Sequence, residues 1–213
     1  MAVVFSDTFT VGADTRLDQY PSAGSPDYAY TPGEGATTDI TVNAATDRAR
    51  QVATTRVSAR IIHAGIPTGD YQISIDINGV LTSVQHGGLC ARMSASAADY
   101  YLLLMRDDVA DQIQLWREDA GSGTKLSSFT PSPALDVSQF HTLNLKVTGA
   151  GATVTLEYWV DALGHTIFGD SDANRKTSGP PGISVDAASA NLIEIDNLSI
   201  DDLVTGSPKP WIE

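Results

Sequence analysis

Apolar residues recur at every second position through several stretches of this chain, and that period is the strongest constraint on its fold. Tyr71, Ile73, Ile75 and Ile77 alternate with Gln72, Ser74, Asp76 and Asn78. Leu143, Leu145 and Val147 alternate with Asn144, Lys146 and Thr148, and Val154, Leu156, Tyr158 and Val160 with Thr155, Glu157 and Trp159. Successive side chains of a strand point to opposite faces, so a period of two buries one face and wets the other, whereas a helix needs 3.6. Gly149-Ala150-Gly151 joins the last two runs as a hairpin, and Asp119-Ala120-Gly121-Ser122-Gly123 joins Gln112–Arg117 to Lys125–Phe129. The run Tyr100–Met105 is apolar on both faces and reads as a central strand. Further strands are expected near 57–62, 88–94, 164–169, 181–186 and 192–202. Many strands joined by short turns predict an all-β fold, a two-sheet antiparallel jelly-roll sandwich.

A chain of 213 residues buries roughly 70% of its unfolded surface and needs no covalent staple. One domain over 1–203 and a C-terminal tail over 204–213 are expected, because Pro208 and Pro210 stop the last strand from continuing. Cys90 is the single cysteine, so no intrachain disulfide is possible, and its apolar surroundings predict a small buried hydrophobe. With 26 acidic against 13 basic residues, a net charge of −13, the chain would repel a phosphate backbone, so nucleic acid is not an expected partner. No apolar run approaches a membrane span. The opening Met1-Ala-Val-Val-Phe5-Ser-Asp7 lacks a basic n-region and an h-region, which predicts synthesis in the cytoplasm without a signal peptide.

The ends of the chain carry a resemblance. Phe5-Ser-Asp7-Thr-Phe9 with the following Leu17 and a Pro/Gly-rich loop, and Gly182-Ile-Ser-Val185 followed by Ile193-Glu-Ile-Asp196-Asn197-Leu-Ser-Ile200, resemble the first and last strands of concanavalin A-like (laminin-G-like) domains. The resemblance implies that these strands lie side by side. A free-standing copy starting at Met1 also looks like the jelly-roll proteins of bacteriophage particles. It implies a non-enzymatic virion structural protein (head decoration, cement or tail adhesion) whose partners are other virion proteins or further copies of itself. The alternative is a carbohydrate-binding module recognising cell-surface glycans. A third reading is an unusual glycoside hydrolase, since Glu194-Ile-Asp196 matches two carboxylates of the laminarinase pattern while Ser199 replaces the third.

Four groups of residues are candidates for binding. Trp116 with Gln114, and Trp159 with Glu157, fall on polar strand faces and could stack on a sugar ring, unless loops cover both rings. Asp7 shares parity with Phe5 and Phe9, and the apolar parity of the last strand switches at Asp196-Asn197, which predicts a bulge. Two inward carboxylates need partners; a structural Ca2+ ion would serve, as would backbone N–H groups or an arginine. Asp170-Ser-Asp172-Ala-Asn174 echoes a calcium loop but has Arg175 at the glycine position and Pro181 at the twelfth. Finally, Tyr20, Tyr28 and Tyr30 in the irregular segment 12–35, with Trp211 and Ile212 in the tail, are expected to contact a partner.

Overall fold

A computed structural model describes residues 2–20, 27–31, 40–52, 56–78, 86–95, 98–106, 112–136, 138–186 and 193–203. Among them lie β1 (Ala2–Asp7), β2 (Thr15–Arg16), β3 (Tyr28–Tyr30), β4 (Ile40–Asn43), β5 (Arg48–Gln51), β6 (Val57–Ile61), β7 (Tyr71–Asn78) and β8 (His86–Ala91). The second half adds β9 (Tyr100–Met105), β10 (Ile113–Asp119), β11 (Ser122–Phe129), β12 (His141–Thr148), β13 (Val154–Val160), β14 (Leu163–Asp170), β15 (Gly182–Asp186) and β16 (Glu194–Asp202). The one helical piece among the described residues is a 3-10 turn, Leu17–Gln19.

All pairings are antiparallel and form two sheets. The first runs β14-β13-β12-β7-β16-β5-β4-β2, with β1 also on β16, and the second runs β11-β10-β9-β8-β15-β6-β3. This is the expected all-β jelly-roll sandwich, and the first and last strands do lie side by side, from Ala2 opposite Asp202 to Asp7 opposite Leu198. The inner faces meet in one core: Tyr71, Ile73, Ile75 and Ile77 of β7 face Leu89, Tyr101, Leu103 and Ile183 from the other sheet, all fully buried. Each such side chain contributes about 1.5–3 kcal/mol of apolar burial.

The strand β9 is buried along its whole length, as its two apolar faces required. Tyr101, Leu103 and Met105 enter the main core. Tyr100, Leu102 and Leu104 face outward and pack with Cys90, Met93 and Ala98 in a second cluster, which Trp116 flanks. Cys90 is buried and forms no disulfide.

Several local expectations are corrected. The hairpin between β10 and β11 turns on two residues, since Asp119 pairs with Ser122. Ala120 and Gly121 both have positive φ, 49° and 82°, which suits the tight turn that matches strand twist. The segment 12–35 is not one irregular loop, because β2 and β3 lie in it. The strands β4 and β5 form a further hairpin, from Ile40 opposite Gln51 to Asn43 opposite Arg48. The predicted bulge is where parity placed it: the β16/β7 register shifts between Asp196 and Ser199, and Asn197 has φ 49°.

Candidate functional site

The outer face of the second sheet carries a cleft of about 260 Å3 lined by Arg56, His86, Leu102, Leu104, Arg106, Trp116, Glu118 and Gly123. Its construction follows from strand alternation. Trp116 lies opposite Leu102, and Gln114 opposite Leu104. Ile113 and Leu115 go to the core, so Gln114, Trp116 and Glu118 share the outer face. Leu102 and Leu104 form an apolar floor. The half-buried Trp116 stands beside them, its Nε1 donating to Gln114 Oε1 at 3.0 Å. A side chain at Gly123 would place its Cβ 2.9 Å from Glu118 Oε1 and 3.2 Å from the Trp116 ring. Glycine there leaves both groups their positions.

Charge is arranged around this ring. Glu118 is almost fully buried and is met by Arg56, whose Nη1 donates to Oε1 at 2.9 Å and whose Nη2 lies 3.4 Å from Oε2. Gly87 faces Ile77 and Ile193 in the core, so its neighbour His86 turns outward into the cleft. Burial, reinforced by Arg56 and Arg106, pushes the His86 imidazole down to about 4. It is therefore neutral near pH 7, and its buried Nε2 finds no hydrogen-bond partner among the described residues. Met105 pairs with Gly87, so Arg106 follows at the His86 end of the cleft. Lys125 of β11 lies opposite Trp116.

The sequence-derived candidates divide between opposite faces of the molecule. Trp159 lies on the outer face of the first sheet, 5.4 Å from the His165 ring, with Asn144 opposite it on β12. Glu157 is bridged to Lys146 at 2.6 Å and also meets His165. The Lys146 hydrogen bond, ahead of the smaller contribution from His165, holds its carboxyl below the usual range. Trp116 and Trp159 are both half-buried and lie on different sheets, so Trp116 with Gln114 and Trp159 with Glu157 are two separate candidate places.

Asp7 and Asp196 are also separated. Asp7 points inward, and its Oδ1 accepts from Phe9 N at 2.7 Å and from the Tyr20 hydroxyl at 2.8 Å, while Oδ2 accepts from the Tyr28 hydroxyl at 2.8 Å. Burial first, and then Asp7, raises both phenol pKa values, so the hydroxyls stay protonated and donate. Asp196 shares the outward parity of Glu194 and lies 3.9 Å from Arg48. Its carboxyl is raised by burial, with Asp76 and Asp47 adding to the shift. The expectation that Asp7 and Asp196 jointly hold Ca2+ is thus corrected: the carboxylates face opposite sides of one sheet, and donors already fill the inner one. Among the described residues no group of three or more His, Cys, Asp or Glu could hold a metal ion.

The same logic answers the calcium-like loop. Arg117 sits where a cation would, with Nη1 3.1 Å from both Asp170 oxygens, Nη2 3.3 Å from Asp172 and Nε 3.1 Å from Asp119. Glu194, one of the two hydrolase candidates, is bridged by Arg48 at 2.8 Å and Arg50 at 2.7 Å. Burial pushes its carboxyl up, but the two arginines outweigh this and hold it below the usual range, the wrong direction for a general acid.

Two of the expected partner contacts are corrected as well. Tyr20 and Tyr28 are buried in the Asp7 network. The Tyr30 hydroxyl donates to Ile40 O at 3.0 Å and accepts from Ile40 N at 3.1 Å, which seams β3 to β4 across the sandwich edge. Trp211 and Ile212, with the rest of the expected tail, lie outside the described residues. The signals for Arg56, His86 and Arg106 were not visible in the sequence; only Glu118 could have been found, as the next outward position after Gln114 and Trp116.

No family model matches the sequence, and no curated protein resembles it in sequence. Solved structures do share the backbone. The carbohydrate-binding module CBM66 from Bacillus subtilis superposes with a TM-score of 0.58 at 16% identity, covering 83% of this chain and 96% of that one. An endo-1,3-beta-glucanase from Streptomyces sioyaensis gives 0.58 at 11% identity, covering 93% and 95%. The fold is a concanavalin A-like sandwich. The VIP36 exoplasmic/lumenal domain in its Ca2+/Man-bound form gives 0.51 at 9% identity, covering 93% of each chain. These neighbours overturn the virion expectation. The bacteriophage resemblance rested on the style of the chain's start, whereas whole-length similarity leads to carbohydrate-binding and carbohydrate-cleaving proteins.

Proposed function

We propose that this chain is a non-catalytic carbohydrate-binding domain whose ligand lies in the Trp116 cleft. The observation that carries the reading is the composition of that cleft: a half-buried tryptophan beside a leucine floor, ringed by arginine, histidine and carboxylate. Sugar rings present an apolar C–H face and a rim of hydroxyls, and an aromatic plane with planar polar groups around it matches both. The carbohydrate-binding module and the Ca2+/Man-bound domain among the structural neighbours support the same class.

Two points favour binding over hydrolysis. Glycoside hydrolysis by the common routes needs two carboxyl groups about 5–5.5 Å or 6.5–9.5 Å apart. The described lining of the cleft supplies one, Glu118, which is committed to Arg56. A glycan array followed by calorimetric titration of each hit, in calcium and in chelator, tests the reading. Saturable binding with the oligosaccharide recovered intact is expected. Release of reducing ends would replace it with an enzymatic reading, and an array without hits would remove it.

A further inference from the structure

Resting on that reading, we infer that His86 is the residue by which the Trp116 cleft selects its sugar, through a hydrogen bond between the imidazole and one hydroxyl of the ring stacked on the tryptophan. His86 lines the cleft together with Trp116, Leu102 and Leu104. The neighbouring polar groups are already engaged. Trp116 Nε1 donates to Gln114 Oε1 at 3.0 Å, and both oxygens of Glu118 face Arg56. The imidazole makes no hydrogen bond among the described residues. An unmet polar group in a partly buried place destabilises a fold, so its presence calls for a partner from outside.

The state of the ring says what that partner is. Burial, with Arg56 and Arg106 adding to it, holds His86 uncharged near pH 7. A neutral imidazole has one N–H and one lone pair. Nε2 is closed off from water, so Nδ1 is the nitrogen that a ligand can meet. A hydroxyl both donates and accepts, and therefore satisfies Nδ1 in either tautomer. A position without a hydroxyl leaves it empty. Sites built to hydrogen-bond a hydroxyl reject analogues lacking it, because their own polar group is then stranded.

The test is a glycan array probed with the full chain as wild type, His86→Phe, His86→Leu and His86→Asn. The glycan that wild type binds most tightly is then titrated calorimetrically, together with its set of monodeoxy forms. Loss of one particular hydroxyl should weaken wild type about tenfold. His86→Phe and His86→Leu should bind the parent glycan about tenfold more weakly and be indifferent to that same loss, since the two changes remove one interaction. His86→Asn keeps a polar atom near the place of Nδ1 and should recover part of the affinity. If phenylalanine is too large for the space, His86→Leu carries the comparison. Undiminished binding by the apolar variants, or deoxy penalties of equal size in them and in wild type, would overturn the role of His86 and leave glycan binding standing. An array on which wild type finds no glycan would remove the glycan-binding reading and this inference with it.

Discussion

Replacing Asp7 by alanine removes the acceptor for three buried donors at once: Phe9 N, the Tyr20 hydroxyl and the Tyr28 hydroxyl, all within 2.8 Å. A hydrogen bond to a charged group contributes about 1.5–3 kcal/mol, and a stranded buried donor costs about 1–3 kcal/mol. The gain from no longer burying a carboxylate offsets part of this, so Asp7→Ala should lose about 3–5 kcal/mol. That is a large share of the roughly 5–15 kcal/mol available to a domain. Tyr28→Phe alone should lose about 1–2 kcal/mol. In the Asp7→Ala background, however, Tyr28→Phe removes a hydroxyl that no longer has an acceptor, and should cost nothing further or even stabilise. Urea unfolding followed by intrinsic fluorescence gives the four stabilities of the cycle, provided the m-value is constant. The coupling should be about 1–2 kcal/mol. Additive effects, or an Asp7→Ala variant within about 1 kcal/mol of wild type, would refute the tyrosine-capped carboxylate. A wild-type melting temperature that climbs with calcium and is unmoved by calcium in Asp7→Ala would restore the cation in its place.

Three further outcomes follow from the same geometry. The His86 pKa in the folded chain, about 4, lies below its ordinary 6.5, so the unfolded chain takes up the proton first. Stability is then complete above about pH 6.5 and falls as pH drops toward 4, by about 2 kcal/mol at pH 5; His86→Gln should lack this component, and parallel pH profiles of the two proteins would contradict it. Arg117→Met leaves the buried Asp170 and its neighbour Asp172 without their cation, while Asp119 keeps Lys176, and should cost about 3–5 kcal/mol, checked by urea midpoint, with a loss under about 1 kcal/mol contradicting it. Gly123→Ala would press a methyl group on Glu118 and Trp116; it should weaken glycan binding and shift the tryptophan emission, and an unchanged spectrum would mean that β11 simply yields.

How much of this was visible in the sequence depends on the range of the interaction. The period-two runs around Ile73, Leu145 and Leu156 gave their strands and core faces, because alternation is a local property. The parity switch at Asp196-Asn197 located a bulge for the same reason. Short strands escaped: Arg48-Ala49-Arg50-Gln51 has a single small apolar residue, and Tyr28–Tyr30 lies within turn-forming sequence. The site was half legible. Trp116 and Gln114 declared an outward parity, as did Trp159 and Glu157, but parity does not say which outer face a strand belongs to, so their separation onto two sheets was not legible. The grouping of Arg56, His86, Arg106 and Glu118 arises from pairing among β10, β9 and β8 and from an arginine reaching across from beside β6. None of these separations is local. Asp7 was correctly read as inward and in need of partners, yet the partners proved to be tyrosines 13 and 21 residues away.

The most direct test of the glycan-binding account is a matched titration of wild type, Trp116→Ala and Trp159→Ala with one oligosaccharide identified on the array. Loss of a stacking surface worth about 1.4 kcal/mol or more is tenfold or more in Kd. The account predicts that Trp116→Ala binds at least about tenfold more weakly, that Trp159→Ala, on the opposite sheet, binds like wild type, and that both remain folded with a cooperative melting transition. Affinity lost in Trp159→Ala and retained in Trp116→Ala would place the ligand on the other face and contradict the account.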